Sequence, residues 1–277
     1  MTLPVDPVTD RLEVITVDGP VSRLPDVRVI RHRDWAAIAA PATRRHAWLW
    51  ERYARVYDAL EGLTGYREMI DSVVTAVGSA RGLRVVEIGC GTGNVLMRLL
   101  PHEPELLVGL DSSQAMVDRA RRKMGAGIAA GLVSVERADA VQGLTAIGSA
   151  TLDAVVASNV IYALPDRVAF WTQAARVLRP GGRVVVSNPD RAGFGPAVRQ
   201  QWRTRGVAGF TDVRMLEVVA LNVAIDMLAA THTFEFPQWS QLAAEASASG
   251  VGEALLHGRC YGGPFEGINV VGELRKT

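Results

Sequence analysis

The chain has 277 residues, 48% of them hydrophobic and 21% charged, which excludes a disordered or fibrous protein and allows one large domain or two small ones. With 30 basic residues against 29 acidic ones the net charge is +1, so no global electrostatic case exists for a nucleic-acid partner. Cys90 and Cys260 form neither a disulfide framework nor a metal-type Cys-x-x-Cys pair, so no metal site is expected and a reducing cytoplasm fits.

Met1–Asp10 carries Asp6 and Asp10 and no apolar run, and is not expected to be a signal peptide. Residues 1–45 read as an N-terminal extension, with short strands at Leu12–Val17 and Val27–Arg31 separated by Asp18-Gly19-Pro20 and a break at Pro25. Leu49, Tyr53, Val56 and Leu60 then recur at helical spacing, predicting one helix over Ala47–Leu60 with Trp50, Tyr53 and Tyr57 on an overlapping aromatic stripe. A second helix covers Tyr66–Val77, so residues 46–78 form a helical unit.

Over residues 79–189 the rhythm changes. Apolar runs at Arg84–Ile88, Leu106–Leu110, Leu132–Arg137, Asp153–Ala157 and Arg183–Ser187 read as strands, and Asn94–Leu100, Ser113–Met124 and Arg167–Leu178 as helices between them. Such alternation predicts parallel βαβ units in a doubly wound α/β sheet, whose ligand crevice lies at the carboxyl ends of the strands. Residues 190–236 form a mostly helical insertion. Residues 237–277 supply a helix, Pro237–Ala248, and a hairpin of Leu255–Tyr261 with Ile268–Leu274, giving a mostly parallel seven-stranded sheet. The most apolar stretch, Met215–Ala230, is interrupted by Glu217, Asn222 and Asp226 and is too short to span a bilayer.

The most informative segment is Val85-Val86-Glu87-Ile88-Gly89-Cys90-Gly91-Thr92-Gly93-Asn94: a buried strand, a loop with glycine at every second position, then a helix. Glycine admits positive φ and lets a ligand approach bare backbone, while the helix offers free N–H groups and its positive dipole end. A dinucleotide fingerprint would need Gly at 94, which is Asn, and a P-loop would need Gly-Lys-Ser/Thr. Glu87 suits a ligand with a cationic amino group better than a pyrophosphate.

Glu-Ile-Gly-Cys-Gly-Thr-Gly resembles the cofactor loop of the class I S-adenosylmethionine-dependent methyltransferases of small-molecule type. The resemblance covers roughly residues 46–190, and more loosely the hairpin. It implies a Rossmann-like fold, a lid formed by residues 46–78, and S-adenosyl-L-methionine as cofactor, held at the loop by Glu87, Gly89, Cys90, Gly91 and Gly93. Asp111, followed by Ser112, stands where the family grips both ribose hydroxyls, a task suited to a carboxylate with several acceptor sites. Met116 matches the residue that packs on adenine, and Asp139, between Ala138 and Ala140, the acid that receives the adenine amino group. Asn159 and Val160 follow the fourth strand, at the mouth of methyl transfer. Val177-Leu178-Arg179-Pro180-Gly181-Gly182-Arg183-Val184 is similar to the turn that introduces the fifth strand. Tyr57, with Tyr53, is the expected cover for the sulfonium, which attracts aromatic faces.

An oxygen or nitrogen acceptor needs its proton removed. The candidate base is His232, in the insertion that often builds the family's acceptor pocket, with Tyr162 second. The helix around Met215–Leu228 is apolar all round and so must be buried, as a pocket wall or in a homodimer interface. A small apolar acceptor follows, from bacterial secondary or lipid metabolism. Aminopropyl transfer, pericyclic chemistry and a non-catalytic partner with the same fold stand as alternatives.

Overall fold

The computed structural model describes residues 47–191, 193–231, 233–260, 267 and 269–277. The strands expected within residues 1–45 lie outside them. Runs rich in valine, leucine and isoleucine form β1 (Arg84–Ile88), β2 (Leu106–Asp111), β3 (Val133–Arg137), β4 (Leu152–Ser158) and β5 (Leu178–Pro189). The chain closes with β6 (Val251–Cys260) and β7 (Asn269–Lys276). Together they make one seven-stranded sheet in the order β3-β2-β1-β4-β5-β7-β6, parallel except for β7, which is antiparallel to both of its neighbours. The winding reverses between β1 and β4, which pair directly, so a crevice opens at their carboxyl ends.

The helices are α1 (Ala47–Tyr53), α2 (Thr64–Val77), α3 (Asn94–Leu99), α4 (Gln114–Lys123), α5 (Gly125–Ala129), α6 (Ala140–Thr145), α7 (Arg167–Val177), α8 (Gly195–Arg205), α9 (Arg214–Ala230) and α10 (Trp239–Ala248). The alternation of side chains along a strand divides the core into two layers. Val85, Ala154 and Val156 face α2, α3, α4 and the insertion. Val86, Ile88, Val155 and Ala157 face α7 and α10, where Phe170 and Trp171 are fully buried. Helix starts near the crevice are fixed by side-chain caps. Ser113 accepts from the Met116 N–H, and Asp139 from those of Val141 and Gln142.

Two expectations require correction. The helix predicted over Ala47–Leu60 stops at Tyr53. The N–H groups of Arg55 and Val56 reach carbonyls three residues back, at Arg52 and Tyr53, and a 3₁₀ turn, Tyr57–Gly62, follows. Tightening the chain this way lets Tyr57 pack edge-on against both Tyr53 and Tyr66. Helix α9, expected to be buried all round, is buried along one stripe only: Met215, Val218, Leu221 and Ile225. Leu216 and Met227 are 76% and 66% exposed. The helix has a single packing surface, where Asn222 Nδ2 donates to the Tyr53 hydroxyl (2.6 Å) and Arg52 pairs with Glu217 (2.7 Å). Among the described residues no helix is long and apolar enough to cross a membrane.

This one-sided packing sets different costs for two similar truncations. Leu221→Ala should lower the unfolding free energy by about 2–5 kcal/mol, and Met227→Ala by less than about 0.5 kcal/mol, as measured by urea denaturation. Equal losses would mean that both faces of α9 are covered.

Candidate active site

The reversal after β1 depends on three glycines in the left-handed region, Gly89 (φ 63°), Gly91 (54°) and Gly93 (83°). A Cβ on Gly89 would lie 2.5 Å from Val160 Cγ2, at the end of β4, so this crossing is closed to any side chain. At Gly91 a Cβ would meet the Tyr57 ring at 3.4 Å, so that tyrosine bounds the space above the turn. The turn is clasped from β2. The Gly91 N–H donates to Asp111 Oδ2 (2.9 Å) and the Ser113 N–H to Oδ1 (2.8 Å). Burial pushes the Asp111 carboxyl up to about 6, against the lowering effect of those two donors and with a further push from Glu51.

These groups open on a cleft of about 510 Å³. Of the expected cofactor residues, Tyr57, Gly89, Gly91, Asp111, Ser112, Met116, Ala138, Asp139, Ala140, Asn159 and Val160 line it together. Asp139 caps α6 through Oδ1. The other expected residues lie elsewhere. Cys90 is buried with its sulfur against Gly109, and Gly93 packs on Ala120. Glu87 is buried behind the loop, where Oε2 has no hydrogen-bond partner. Burial, with Asp111 nearby, raises its carboxyl well above the usual range despite a hydrogen bond from the Leu96 backbone.

The roof of the cleft comes from the N-terminal helical segment. Trp50, Glu51 and Tyr57 reach over it, and the Ser113 hydroxyl donates to Glu51 (2.9 Å). The turn at Tyr57–Gly62 is fastened to the loop through Asp58, which accepts from Thr92 and from Lys123 (2.8 Å). Lys123 also reaches Asn94, and Asn94 donates to the Tyr66 hydroxyl (3.0 Å). Burial alone would raise the Asp58 carboxyl, but Lys123 and Thr92 hold it below the usual range.

Beyond Tyr57 lies a second cavity of about 80 Å³, sharing Trp50, Tyr57 and Asn159 with the first. Its walls include Tyr53, Tyr162 and Phe236, and Tyr162 stacks on Phe236 at 5.0 Å. Burial pushes the phenols of Tyr53, Tyr57 and Tyr162 up, so each stays protonated near neutrality. Tyr162 therefore lines this cavity as a hydrogen-bonding phenol and is no base in its resting state. His232, the other expected base, lies outside the described residues. Two acids that line the cavities went unmarked in the sequence. Glu51 gave no signal, and Asp226 showed only as one of three polar interruptions in an apolar helix.

Residues 86–184 match the family model of a methyltransferase domain. The 27-O-demethylrifamycin SV methyltransferase of Amycolatopsis mediterranei is 33% identical over 117 residues, covering 41% of this chain and 42% of its own. The nocamycin O-methyltransferase of Saccharothrix syringae is 32% identical over 145 residues, covering 51% and 50%. The chain thus spans about half or less of the length of these relatives. A solved methyltransferase of Thermotoga maritima, named as a possible histamine N-methyltransferase, superposes with a TM-score of 0.54 at 20% identity, covering 84% of this chain and 100% of its own, a likeness of fold. Residues 86–184, which carry the glycine turn and both strand-end acids, thus match a methyltransferase domain, and the fold around them is the one seen in a solved S-adenosylmethionine-dependent methyltransferase.

Proposed function

We propose that the protein transfers a methyl group from S-adenosylmethionine to a hydroxyl of a small, largely apolar metabolite. The observation that carries this reading is that two cavities share Trp50, Tyr57 and Asn159 as walls: one suited to a nucleoside, the other walled by aromatic rings. The residues present fit the cofactor. Asp111 keeps its carboxylate at the rim of the cleft, Met116 offers an apolar surface, and Asp139 uses only Oδ1 for its cap. When bound, S-adenosylmethionine supplies a methyl activated by a sulfonium.

In this reading Asp111 accepts the ribose hydroxyls, Met116 packs on the adenine between Ala138 and Ala140, and Asp139 takes its amino group. Tyr57 and Trp50 cover the sulfonium side, where their π-faces favour a cation and their bulk excludes water. The chain's main contribution is alignment, which can supply about 7–11 kcal/mol of a displacement barrier. Relatives whose printed names place them on rifamycin- and nocamycin-type molecules support a secondary-metabolite hydroxyl as acceptor. With it go a cytoplasmic setting and no nucleic-acid partner, in line with the balanced charge.

Incubation with S-adenosylmethionine and a panel of hydroxylated polyketide aglycones, followed by mass spectrometry, should yield S-adenosylhomocysteine and a product heavier by one methylene. Cofactor binding without S-adenosylhomocysteine from any hydroxyl would move the reading to non-methyl chemistry. Asp111→Ala should weaken S-adenosylmethionine binding by about 10–100-fold in calorimetry, since hydrogen bonds to a charged group contribute about 1.5–3 kcal/mol.

Binding should also depend on pH. Ribose hydroxyls donate to the ionised form, so below about 6 the cofactor must displace a proton from Asp111 and affinity should fall by up to about tenfold per pH unit. Asp111→Asn should flatten that fall. Stability of the free protein runs the other way. An acid raised from 3.8 to about 6 holds more protons folded than unfolded, so its contribution is greatest in acid and declines as pH rises through that window. Gly89→Ala should abolish binding and lower the melting temperature, because the added carbon meets Val160 and φ of 63° is strained for alanine. Wild-type affinity in that variant would dissociate the turn from the cofactor.

A further inference from the structure

Transfer of a methyl from a sulfonium to a neutral hydroxyl removes one cation from the site and releases one proton. The acceptor cavity holds one carboxylate among the described residues, Asp226 on α9. Its orientation is fixed from across the cavity wall, where the Gly193 N–H donates to Oδ1 (2.8 Å) and the Phe194 N–H to Oδ2 (3.2 Å). Each oxygen keeps acceptor capacity, because a carboxylate offers about four lone-pair sites. No cation among the described residues pairs with it. The nearest one lining the cavity, Arg191, is engaged by Asp190 (3.6 Å), which Arg259 also holds (2.5 Å).

Besides Arg191, the titratable groups that line the cavity with Asp226 are the phenols of Tyr53, Tyr57 and Tyr162. Tyr53 is tied to α9 through Asn222, and Tyr162 comes from the turn after β4. The charge of Asp226 adds to burial and to Tyr53 in keeping Tyr162 protonated. A half-buried carboxylate with no ion-pair partner among the described residues, beside phenols and aromatic rings, gains from a positive charge in the ligand set. The cofactor's sulfonium is such a charge. An ammonium-bearing acceptor would place a second cation beside it in an apolar pocket, whereas a hydroxyl would not.

We propose that Asp226 is the general base of the transfer, accepting a hydrogen bond from the acceptor hydroxyl and then its proton; this rests on the methyl-transfer reading above. A lone pair of the acceptor oxygen forms the new O–CH₃ bond while the CH₃–S bond breaks with its electrons passing to sulfur. The hydroxyl proton moves to an Asp226 oxygen. Sulfonium and carboxylate enter; thioether and carboxylic acid leave. The site is neutral before and after, so the step moves no net charge into or out of an apolar pocket.

The test compares the wild type with Asp226→Asn and Asp226→Glu, first by calorimetry with S-adenosylmethionine and S-adenosylhomocysteine. The two ligands differ by the methyl and its positive charge. Loss of the carboxylate should reduce the preference for the sulfonium form by ~3–10-fold in Asp226→Asn, while Asp226→Glu keeps most of it. The second measurement uses phenol as the probe hydroxyl and labelled methyl. At neutral pH Asp226→Asn should lose ~10²–10³-fold in rate with its affinity for S-adenosylhomocysteine unchanged. Its rate should then climb about tenfold per unit from about pH 7 to 9, as phenol, ionising near ~10, supplies its own anion. The wild-type rate should change little over that range. An unchanged preference in Asp226→Asn overturns the assignment, whether or not phenol is turned over, and so does a parallel pH profile. Failure of the wild type to bind either nucleoside would instead overturn the methyl-transfer reading itself.

Discussion

The hydrogen bond from the Gly91 N–H to Asp111 is the contact on which the cleft depends. It ties the turn after β1 to the end of β2, and the Ser113 N–H on the other oxygen carries the clasp into the start of α4. Val160, at the end of β4, closes on Gly89 from the opposite side. Three strand ends thus meet around one turn at the point where the sheet reverses direction, and only glycine backbone leaves room there. The elevated Asp111 carboxyl shows that two amide donors do not repay the burial of its charge. A carboxylate in that condition gains from further donors, which is what a vicinal diol offers.

The lid follows from the same constraint. Tyr57 covers Gly91 because Asp58, its neighbour in the chain, is held by Thr92 of the loop and by Lys123 at the end of α4. Partly exposed ion pairs contribute little each, commonly under about 1 kcal/mol, so the value of this one lies in position more than in stability. It sets the height of the tyrosine above the turn. Edge-on contacts then pass from Tyr66 through Tyr57 to Tyr53, whose hydroxyl meets Asn222 on α9. The glycine loop and α9 are therefore linked by one chain of rings and hydrogen bonds.

The sheet and its crevice were legible in the sequence because their signals are local. The strand at Arg84–Ile88 has the observed ends, and Asp111, Met116 and Asp139 fall at strand ends or helix starts whose periodicity is clear. The break after Tyr53 had no such signal: Leu49, Tyr53, Val56 and Leu60 keep helical spacing, with neither glycine nor proline between them. What ends that helix is tertiary, the insertion of Tyr57 between two other tyrosines. The facing of α9 was hidden for a related reason. An apolar composition sets how much surface could be buried, but the neighbouring elements decide how much is. Asp226 showed only as one of three polar interruptions of an apolar run, and its place in the cavity depends on Gly193 and Phe194, more than 30 residues away and without a pattern of their own.

This contrast separates the two halves of the site physically. The cofactor side is built from consecutive βα turns of one sheet, each fixing a carboxylate or a bare backbone within a few residues of a strand end. The second cavity is assembled from α1, the turn after β4, the segment after β5 and α9, whose side chains meet only when the chain is folded. The hydrogen bonds of Asp111 hold the turn and the start of α4, and neither of them reaches α9, whose link to the turn runs through the tyrosines. On the proposed reading, what that cavity must keep is a counter-charge for the sulfonium before transfer, and Asp226 is the one carboxylate among the described residues that line it.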